Sequence, residues 1–359
     1  MTLSIDPNIA KAKTISTDFY LHRHFYESSK EKIFAKTWQF IGDTDLVKDP
    51  GWVTPVNFLE KFMDEPLLLS RDKQGKLNCL SNVCTHRGNM VVEKPCKLAD
   101  LRCKYHGRRF QLDGKFLSMP EFKEVENFPS EQDNLTKLPL FAWNKLLFTT
   151  LDSSINSDDF FGDMMKRVEW MPFHDFHFRP EHSRDYLIDA NWALYCENYL
   201  EGFHIPFVHS ALNAMIDQHN YTVELYKYSS LQIGAAKDAD YVFDLPKTSS
   251  DYGKKIGAYY FWVFPNMMFN FYPWGLSINV IRPIGVSKTK VSFLSYVWDE
   301  NKLRQGAGAD LHTVEMEDQD IVQNVQKGIR SRYYKHGRYS VTREMGTHHF
   351  HRLIAEFMN

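Results

Sequence analysis

The sequence lacks a large excess of charge of either sign. Its 359 residues hold 43 lysines and arginines against 45 aspartates and glutamates, which gives a formal net charge of −2. Nucleic-acid-binding proteins usually present a strong cationic field, so this balance excludes one that covers the whole chain. Hydrophobic residues make up 43% and charged residues 25% of the chain, ordinary globular values that exclude a disordered or fibrous protein. We expect no nucleic-acid partner.

Long, uninterrupted hydrophobic runs and abundant cysteines are also missing. The longest apolar stretch, residues 259–281, is broken by prolines and asparagines, which are costly in a bilayer. Residues 1–13 are charged and lack the apolar centre of a secretion signal. The five cysteines form an odd count, so a disulfide framework is not expected. We predict a cytoplasmic location and no membrane association.

The length predicts about two domains, and the pattern changes along the chain. A helix is predicted at Thr17–Lys36, with Ser16 as its N-cap. Strand-like runs then surround turn signals at Asp72–Gly75 and Asp113–Gly114, which indicates two hairpins in a small all-β domain over residues 38–152.

Residues 153–359 predict a second domain, with residues 1–37 as a helix that packs on it. Helical segments fall in Tyr186–His209 and Met316–Lys327, and strand-like blocks in Tyr259–Asn279 and Lys290–Val297. Helices and strands in this mixture predict a sheet with helices packed on it. The whole chain is therefore expected to be α+β.

Two cysteine and histidine pairs form the strongest motif. Cys84 and His86 are followed, after sixteen intervening residues, by Cys103 and His106. Two thiolates on one iron and two imidazoles on the other are the ligands of a Rieske [2Fe–2S] cluster. The alternative is a zinc site, but zinc sites of this composition usually pair cysteine with cysteine and histidine with histidine. Here each loop mixes the two types, which favours the cluster.

A second group of metal-ligating residues lies in the segment 191–209. On a continuous helix Glu197, Glu201 and His204 would share one face and converge on one site. Pro206 favours a break that would bring His209 beside His204. Two imidazoles and one carboxylate with open positions form the facial triad of a non-heme Fe(II) site. Buried, hydrogen-bonded histidines or a zinc site remain alternatives.

The third ligand of this iron is predicted in the acidic segment Glu315–Asp320. Asp318 is our first choice, and Glu317 and Asp320 are its rivals. The alternative is that the acidic residues open a helix and only complement its N-terminus. An electron-transfer cluster in the same chain favours the iron site, because an oxygen-activating iron needs a source of electrons.

Together, these motifs resemble the Rieske non-heme iron oxygenases, and specifically their large α subunit. The resemblance spans nearly the whole chain and implies an N-terminal Rieske domain and a C-terminal catalytic domain of the helix-grip type. It also implies a homotrimer, in which Glu201 would link an iron-ligand histidine to the cluster ligand His106 of a neighbouring subunit. Glu201 and Asn198 are the catalytic candidates besides the metal ligands. Arg108 departs from the family, which often has tryptophan there.

The resemblance implies an oxygenase that uses a [2Fe–2S] cluster, Fe(II), O2 and electrons from a separate NAD(P)H-dependent reductase or ferredoxin. Glutamate at position 201 and the phrase Glu197–Glu201 are similar to the branch that acts on choline, betaines and carnitine. We therefore favour monooxygenation of a small quaternary ammonium compound. The alternatives are an aromatic-ring or aromatic-acid oxygenase and, in another class, a ferredoxin-like electron carrier. A local excess of positive charge over residues 84–110 is consistent with docking of an acidic electron donor. A solvated basic loop, or contacts with carboxylates of another subunit, is the alternative.

Overall fold

The structure, a computed structural model, describes residues 2–152, 154–217, 220–237 and 241–359. Met1 and Ser153, where two of the predicted domains begin, lie outside the described residues. The chain divides into two compact units. One consists of Ala35–Ser154, and the other of Met1–Phe34 together with Ile155–Asn359.

The unit Ala35–Ser154 is built from short antiparallel strands. They are β1 (Gln39–Asp43), β2 (Trp52–Phe58), β3 (Glu65–Arg71), β4 (Leu77–Ser81), β5 (Cys96–Lys97), β6 (Leu101–Arg102), β7 (Arg109–Phe110), β8 (Phe116–Ser118), β9 (Lys137–Leu138), β10 (Leu140–Trp143) and β11 (Leu146–Thr149). They form sheets in the orders β5-β2-β3-β4-β9, β1-β11-β10 and β6-β7-β8.

Both predicted hairpins are present in this unit. Strands β3 and β4 pair across the Asp72–Gly75 turn, and β7 pairs with β8 across Asp113–Gly114. Gly114 has φ of +89°, and a Cβ there would lie 3.0 Å from the Leu80 side chain and 3.3 Å from the Leu135 carbonyl oxygen. Glycine is therefore required at this turn by conformation and by space.

The second unit contains all the α-helices of the described residues and one large antiparallel sheet. The helices are α1 (Thr17–Leu21), α2 (Arg23–Ser29), α3 (Asp158–Arg167), α4 (Trp192–Tyr199), α5 (Ile205–Val208), α6 (Ser210–Met215), α7 (Leu311–Gly328) and α8 (Met345–Met358). The strands are β12 (His177–Phe178), β13 (Arg184–Ile188), β14 (Thr222–Leu225), β15 (Ser229–Ala235), β16 (Ile256–Val263), β17 (Met267–Tyr272), β18 (Gly275–Gly285) and β19 (Lys288–Val297).

The sheet runs in the order β12-β19-β18-β17-β16-β15-β14, and β13 also pairs with β19. The predicted strand block Tyr259–Asn279 is three strands rather than one, because tight turns follow Val263 and Tyr272. Tyr186 lies in β13, so the helical prediction was wrong for the start of its segment. The α+β class is confirmed, and the long hairpin strands β15 to β19 give helices α4 and α7 a rigid surface to pack on.

Aromatic side chains join the helices to the sheet. Trp192 of α4 and Trp262 of β16 both contact Phe350 of α8, with ring centroids 5.8 and 5.2 Å away. The N-terminal segment packs on the same core, since Phe34 lies 5.1 Å from Trp192. This segment is interrupted at His22 and finishes as a π-helix at Lys30–Phe34, so the single helix that the pattern predicts is three pieces.

Helix α7 is the longest element that bears on the site. It begins at Leu311, and Asp310 caps it by accepting from the Thr313 amide at 3.0 Å. The acidic residues from Glu315 onward therefore lie in the helix interior, and the alternative in which they serve the helix N-terminus is wrong. Within the described residues, no helix has the length and hydrophobicity that crossing a membrane demands.

Candidate metal centres

The predicted cluster ligands lie on two loops with the same backbone turn. In one loop the Gly88 amide donates to the Cys84 carbonyl, and in the other the Gly107 amide donates to the Cys103 carbonyl, both at 3.0 Å. The two glycines have φ of +73° and +75°, a conformation that disfavours other residues. Each loop therefore closes four residues after its cysteine and presents one thiol and one imidazole.

The side chains of these loops suit a two-iron cluster. Cys84 and Cys103 are buried, whereas His86 and His106 are partly or fully exposed, with their rings 4.8 Å apart. The Asn89 amide donates to the Cys103 sulfur at 3.6 Å. Sulfur ligands inside and imidazoles at the surface match the unequal halves of a Rieske cluster, and a hydrogen bond to sulfur is one means of raising its potential. The donor set therefore fits the group.

Arg108, which departs from the tryptophan that the resemblance leads one to expect, is held by a carboxylate and by aromatic rings. Its side chain is 2% exposed and donates to Asp133 Oδ1 at 2.5 Å. Its guanidinium carbon lies 5.1 Å from the Phe116 ring centroid and 5.4 Å from that of Phe128. A buried cation is thus balanced by one carboxylate and held by aromatic faces.

Replacing Arg108 with methionine is expected to lower the free energy of unfolding by about 3 kcal/mol, because Asp133 loses its partner and the aromatic contacts are lost. Denaturant unfolding, followed by the visible absorption of the cluster, measures this. Arg102→Met, at an exposed position in the same unit, is the control and should change stability by less than about 0.5 kcal/mol. Equal effects of both substitutions would contradict the structural role of Arg108.

The second centre is formed by His204, His209 and Asp318. Three of their atoms face one another. His209 Nε2 lies 3.2 Å from His204 Nε2 and 3.0 Å from Asp318 Oδ1, and His204 Nε2 lies 3.6 Å from Asp318 Oδ1. Ligands about 2.1 Å from one ion and at right angles to each other are about 3.0 Å apart. One ion therefore satisfies all three atoms on one face, which is the geometry of a facial triad.

Proton positions give a second reason to place a cation there. His204 Nδ1 lies 2.6 Å from Glu201 Oε1, and His209 Nδ1 lies 2.6 Å from Glu317 Oε2. A neutral imidazole whose Nδ1–H donates to a carboxylate has a lone pair on Nε2. Two lone pairs and a carboxylate oxygen then face one another, an electron-rich arrangement that a metal ion stabilises.

Electrostatics at His209 agree with this. Burial alone lowers the pKa of this imidazole, but its hydrogen bonds and charge interactions with Asp318 and Glu317 outweigh burial, so its pKa lies above the usual value. The surroundings thus favour positive charge at His209, whether a proton or a metal ion supplies it.

Local chain breaks bring the ligands together. Helix α4 ends at Tyr199, so Glu201 and His204 lie in the irregular segment before the short helix α5, and His209 lies where α5 meets α6. Pro206 stands in the first turn of α5, where its missing N–H costs nothing. The prediction that a break near Pro206 places His209 beside His204 agrees with this geometry.

Other sequence predictions need correction or refinement. Glu197 does not join the site: Tyr20 Oη donates to it at 2.7 Å, and it lies 3.1 Å from His351 Nε2, because α4 ends before the three residues can share a helical face. Asp320 is exposed on α7. Glu317 contacts His209 Nδ1 rather than the shared face, and Asn198 Nδ2 donates to Asp318 Oδ1 at 2.6 Å.

A cavity of about 780 Å³, including its mouth, adjoins these residues. Its lining combines tyrosines, neutral polar side chains and a few aliphatic groups around the triad. The side chains that do not belong to the triad include Tyr195, Asn198, Tyr199, Tyr221, Gln232, Tyr260, Asn270, Tyr272, Ser277, Asn279, Phe293, Leu311, Val314 and Glu315. Of the aromatic run at 259–274, only Tyr260 and Tyr272 reach it, as expected when one face of a sheet looks inward.

Comparison with known proteins decides the family. The model of the family described as "Ring hydroxylating alpha subunit (catalytic domain)" matches residues 173–359, more than half of the chain. The chain belongs to this family. Residues 37–129 match the Rieske [2Fe-2S] domain, so this ring-hydroxylating α subunit carries a Rieske domain before its catalytic domain. The electron-carrier alternative does not account for the catalytic domain.

Curated relatives and solved structures extend over almost the full chain. Choline monooxygenase, chloroplastic, of Arabidopsis thaliana is 26% identical over 99% of this chain and 85% of its own length. The carnitine monooxygenase oxygenase subunit of Escherichia coli K12 is 28% identical over 97% and 95%. The fold is that of a quaternary ammonium Rieske monooxygenase structure, with a TM-score of 0.80, 22% identity and coverage of 99% and 100%. A naphthalene 1,2-dioxygenase structure has a TM-score of 0.73 and 17% identity, and the match covers 96% of this chain and 92% of that one.

These findings establish the class of reaction. The α subunit is an oxidoreductase that uses O2 on a small substrate, with a Rieske [2Fe–2S] cluster, a mononuclear iron and electrons taken from a partner.

Proposed function

We propose that this α subunit hydroxylates a small quaternary ammonium compound. The observation that carries the proposal is the cavity beside the triad, where tyrosine rings from α4, β16 and β17 lie together with the carboxyl groups of Glu201, Glu315 and Asp318. Aromatic faces and carboxylates attract a trimethylammonium group. Relatives named choline and carnitine monooxygenases support the same substrate class.

The polar lining argues against a polycyclic hydrocarbon. Asn198, Gln232, Asn270 and Asn279 all border the cavity. Each makes a hydrogen bond within the protein, but an apolar ring system would cover the remaining hydrogen-bonding capacity of these amides, which costs free energy. An aromatic-ring oxygenase therefore fits this lining less well.

The overall reaction is R–H + O2 + 2e⁻ + 2H⁺ → R–OH + H2O, with the electrons delivered by the partner protein. When the hydroxylated carbon is bonded to the quaternary nitrogen, its O–H proton is lost as the C–N bond breaks, and an aldehyde and a tertiary amine are the products. When bound, Fe(II) supplies open positions at which O2 is activated.

In this proposal His204, His209 and Asp318 hold the iron. Glu201 and Glu317 fix the two imidazoles through their Nδ1–H groups, and Asn198 fixes Asp318. Such supporting partners orient metal ligands and raise their basicity. Tyrosine rings and the narrow lining would hold the substrate next to the triad and exclude bulk water.

We assign the cluster to residues 38–152, with Cys84 and Cys103 on one iron and His86 and His106 on the other, and the mononuclear iron to residues 153–359, with residues 1–37 packed on that second part. We further propose a homotrimer in which Glu201 contacts His106 of a second copy. The exposed His106 ring, with Tyr105 3.7 Å from it, supports a contact there with another protein surface. The cytoplasmic location stays a prediction.

An acidic reductase or ferredoxin is proposed as the electron donor. Lys104 lies 3.2 Å from Glu93, and Arg109 lies 2.7 Å from Asp100, so these charges are paired. The exposed cations around the cluster loops that remain for a partner are Arg87, Lys94, Lys97 and Arg102.

Reversing one of these charges, in Arg87→Glu, is expected to raise KM for an acidic donor protein several-fold at low salt. The effect should shrink as ionic strength rises, because salt screens exposed charges. Steady-state oxygen uptake at varied donor concentration measures it. Lys48→Glu, at an exposed position outside the cluster loops, is the control. If KM for the donor protein changes neither with salt concentration nor in Arg87→Glu, the docking proposal is wrong.

Oxygen uptake coupled to product formation tests the function itself. With a generic reductase, choline, carnitine or glycine betaine should give product in proportion to oxygen consumed, whereas benzoate and naphthalene should not. Coupled turnover of an aromatic compound alone would overturn the proposed substrate class.

A further inference from the structure

One buried carboxyl group in the cavity has no part in holding the iron. Glu315 is 1% exposed and lies one helical turn before Asp318 on α7. Together with Leu311, Val314 and Asp318 it forms the face of α7 that lines the cavity. Tyr195 Oη donates to Glu315 Oε2, and Gln319 Nε2 donates to Oε1 at 2.8 Å. These two bonds fix the orientation of the carboxyl group.

Charges around the cavity do not balance without a cationic substrate. A ferrous ion brings two positive charges, and Asp318, Glu201 and Glu317 bring three negative ones in direct contact with the triad or its imidazoles. An ionised Glu315 would add a fourth. No lysine or arginine is among the described residues that line the cavity, so this excess is left for the substrate to neutralise.

The net negative charge around the cavity also disfavours a carboxylate on the substrate. A zwitterion such as carnitine would bury its carboxylate in a net negative cavity without a cationic side chain, and an unpaired buried charge is costly. A quaternary ammonium alcohol carries no such group, and its hydroxyl can use the neutral amides of the lining.

We infer that Glu315 is the anionic partner of the substrate's quaternary ammonium group, and that the cavity selects a cation that carries no carboxylate. This inference rests on the proposed function and narrows its substrate class. Glu315 acts here as a specificity-determining residue.

Protonation of Glu315 supplies a distinctive readout. The pKa of Glu315 is raised to about 8, because burial, helped by the negative charge of Asp318, outweighs the lowering by the hydrogen bonds from Tyr195 and Gln319. Tyr186 of β13 also interacts with the charge of Glu315: burial, and then that charge, raise the pKa of Tyr186. Its hydroxyl lies 3.0 Å from His312 Nδ1. At pH 7 the empty site therefore holds Glu315 mostly protonated. A cation would ionise it, so binding should release a proton.

Calorimetric titration of the iron-loaded protein, without reductant, tests this with three probes: choline, its neutral carbon isostere 3,3-dimethylbutan-1-ol, and carnitine. Choline should bind at least about tenfold more tightly than either other probe. At pH 7, titration in buffers of different ionisation enthalpy should show release of close to one proton per choline bound.

Glu315→Gln keeps the shape of the side chain and removes its charge. We expect it to weaken choline binding by at least about tenfold and to abolish proton release, with little effect on the isostere. Asp320→Asn makes the same charge change at an exposed position of α7 and should leave Kd within about twofold. Circular dichroism and iron content confirm that each variant is folded and loaded.

The outcomes separate the two claims. If no quaternary ammonium compound binds the wild type, the proposed function fails. If choline binds the wild type but Glu315→Gln neither weakens it nor changes the proton release, or if carnitine binds as tightly as choline, the function stands and the assignment of Glu315 is wrong.

Discussion

Replacing Glu201 with glutamine is expected to lower substrate hydroxylation by at least about a hundredfold while both metal centres remain in place. Both carboxylate oxygens accept hydrogen bonds: Oε1 lies 2.6 Å from His204 Nδ1, and Oε2 accepts from the amides of Phe203 and His204. Glutamine offers one acceptor, so one set of donors would face an NH2 group. The loss of charge would also remove the proposed link from His204 to the cluster of a second copy, and electron transfer over that gap would fail.

Single turnover with a chemically reduced cluster separates this effect from a loss of metal. The Glu201→Gln protein should show a normal reduced-cluster spectrum and full iron content, yet form almost no product when substrate and O2 are added. Glu169→Gln, at an exposed position of the same unit, is the control and should behave as wild type. Wild-type rates in Glu201→Gln would show that Glu201 has no part in electron delivery or in orienting His204.

Replacing Asp318 with alanine is expected to remove about one iron atom per chain and all hydroxylation activity. Asp318 Oδ1 faces both imidazole Nε2 atoms, 3.0 Å from that of His209 and 3.6 Å from that of His204. Without it two imidazoles remain, and they lack the charged ligand of a facial triad. The cluster should be unaffected, because its ligands lie on separate loops of Ala35–Ser154.

Iron analysis together with electron spin resonance of the reduced protein measures this change. Asp320→Ala is the matched control and should keep the full iron content, because Asp320 is exposed on α7. Loss of iron in Asp320→Ala but not in Asp318→Ala would show that the third ligand is Asp320 and that the assignment to Asp318 is wrong.

The cluster loops are the part of the site that a sequence can predict most directly, because their chemistry is local. Cys84 with His86 and Cys103 with His106 are each a few residues apart, and one turn with a left-handed glycine sets both members of a pair. The hairpins at Asp72–Gly75 and Asp113–Gly114 are local in the same sense. Such features depend on backbone rules that a short stretch of sequence carries.

The catalytic residues were harder to predict because they depend on where helices begin and end. Glu197 was placed on the same face as Glu201 and His204, but α4 ends at Tyr199, and Glu197 contacts Tyr20 and His351 instead. Gly202 lies just after the end of α4. A Cβ at this position would lie 2.9 Å from the Tyr221 ring. Tyr221 immediately precedes β14 and lies nineteen residues further along the chain, so no local pattern reveals this contact.

The positions of Glu317 and Glu315 in the site were missed for a related reason. Glu317 was considered as an iron ligand, yet its carboxylate contacts His209 Nδ1. Only the rotation of α7 relative to α5 decides whether Glu317 binds the metal or supports His209. Glu315 could have been found, since the spacing of Leu311, Val314, Glu315 and Asp318 marks one helical face. Recognising that face required the true start of α7 at Leu311, which the acidic run obscured.

One chain of this α subunit carries both a Rieske cluster and a separate mononuclear iron. The most direct test is the content of iron, zinc and acid-labile sulfide per chain, together with the electron spin resonance spectrum of the reduced protein. We predict about three iron atoms, about two sulfides and a Rieske-type spectrum. Zinc in place of iron, with no labile sulfide and no spectrum on reduction, would contradict the account.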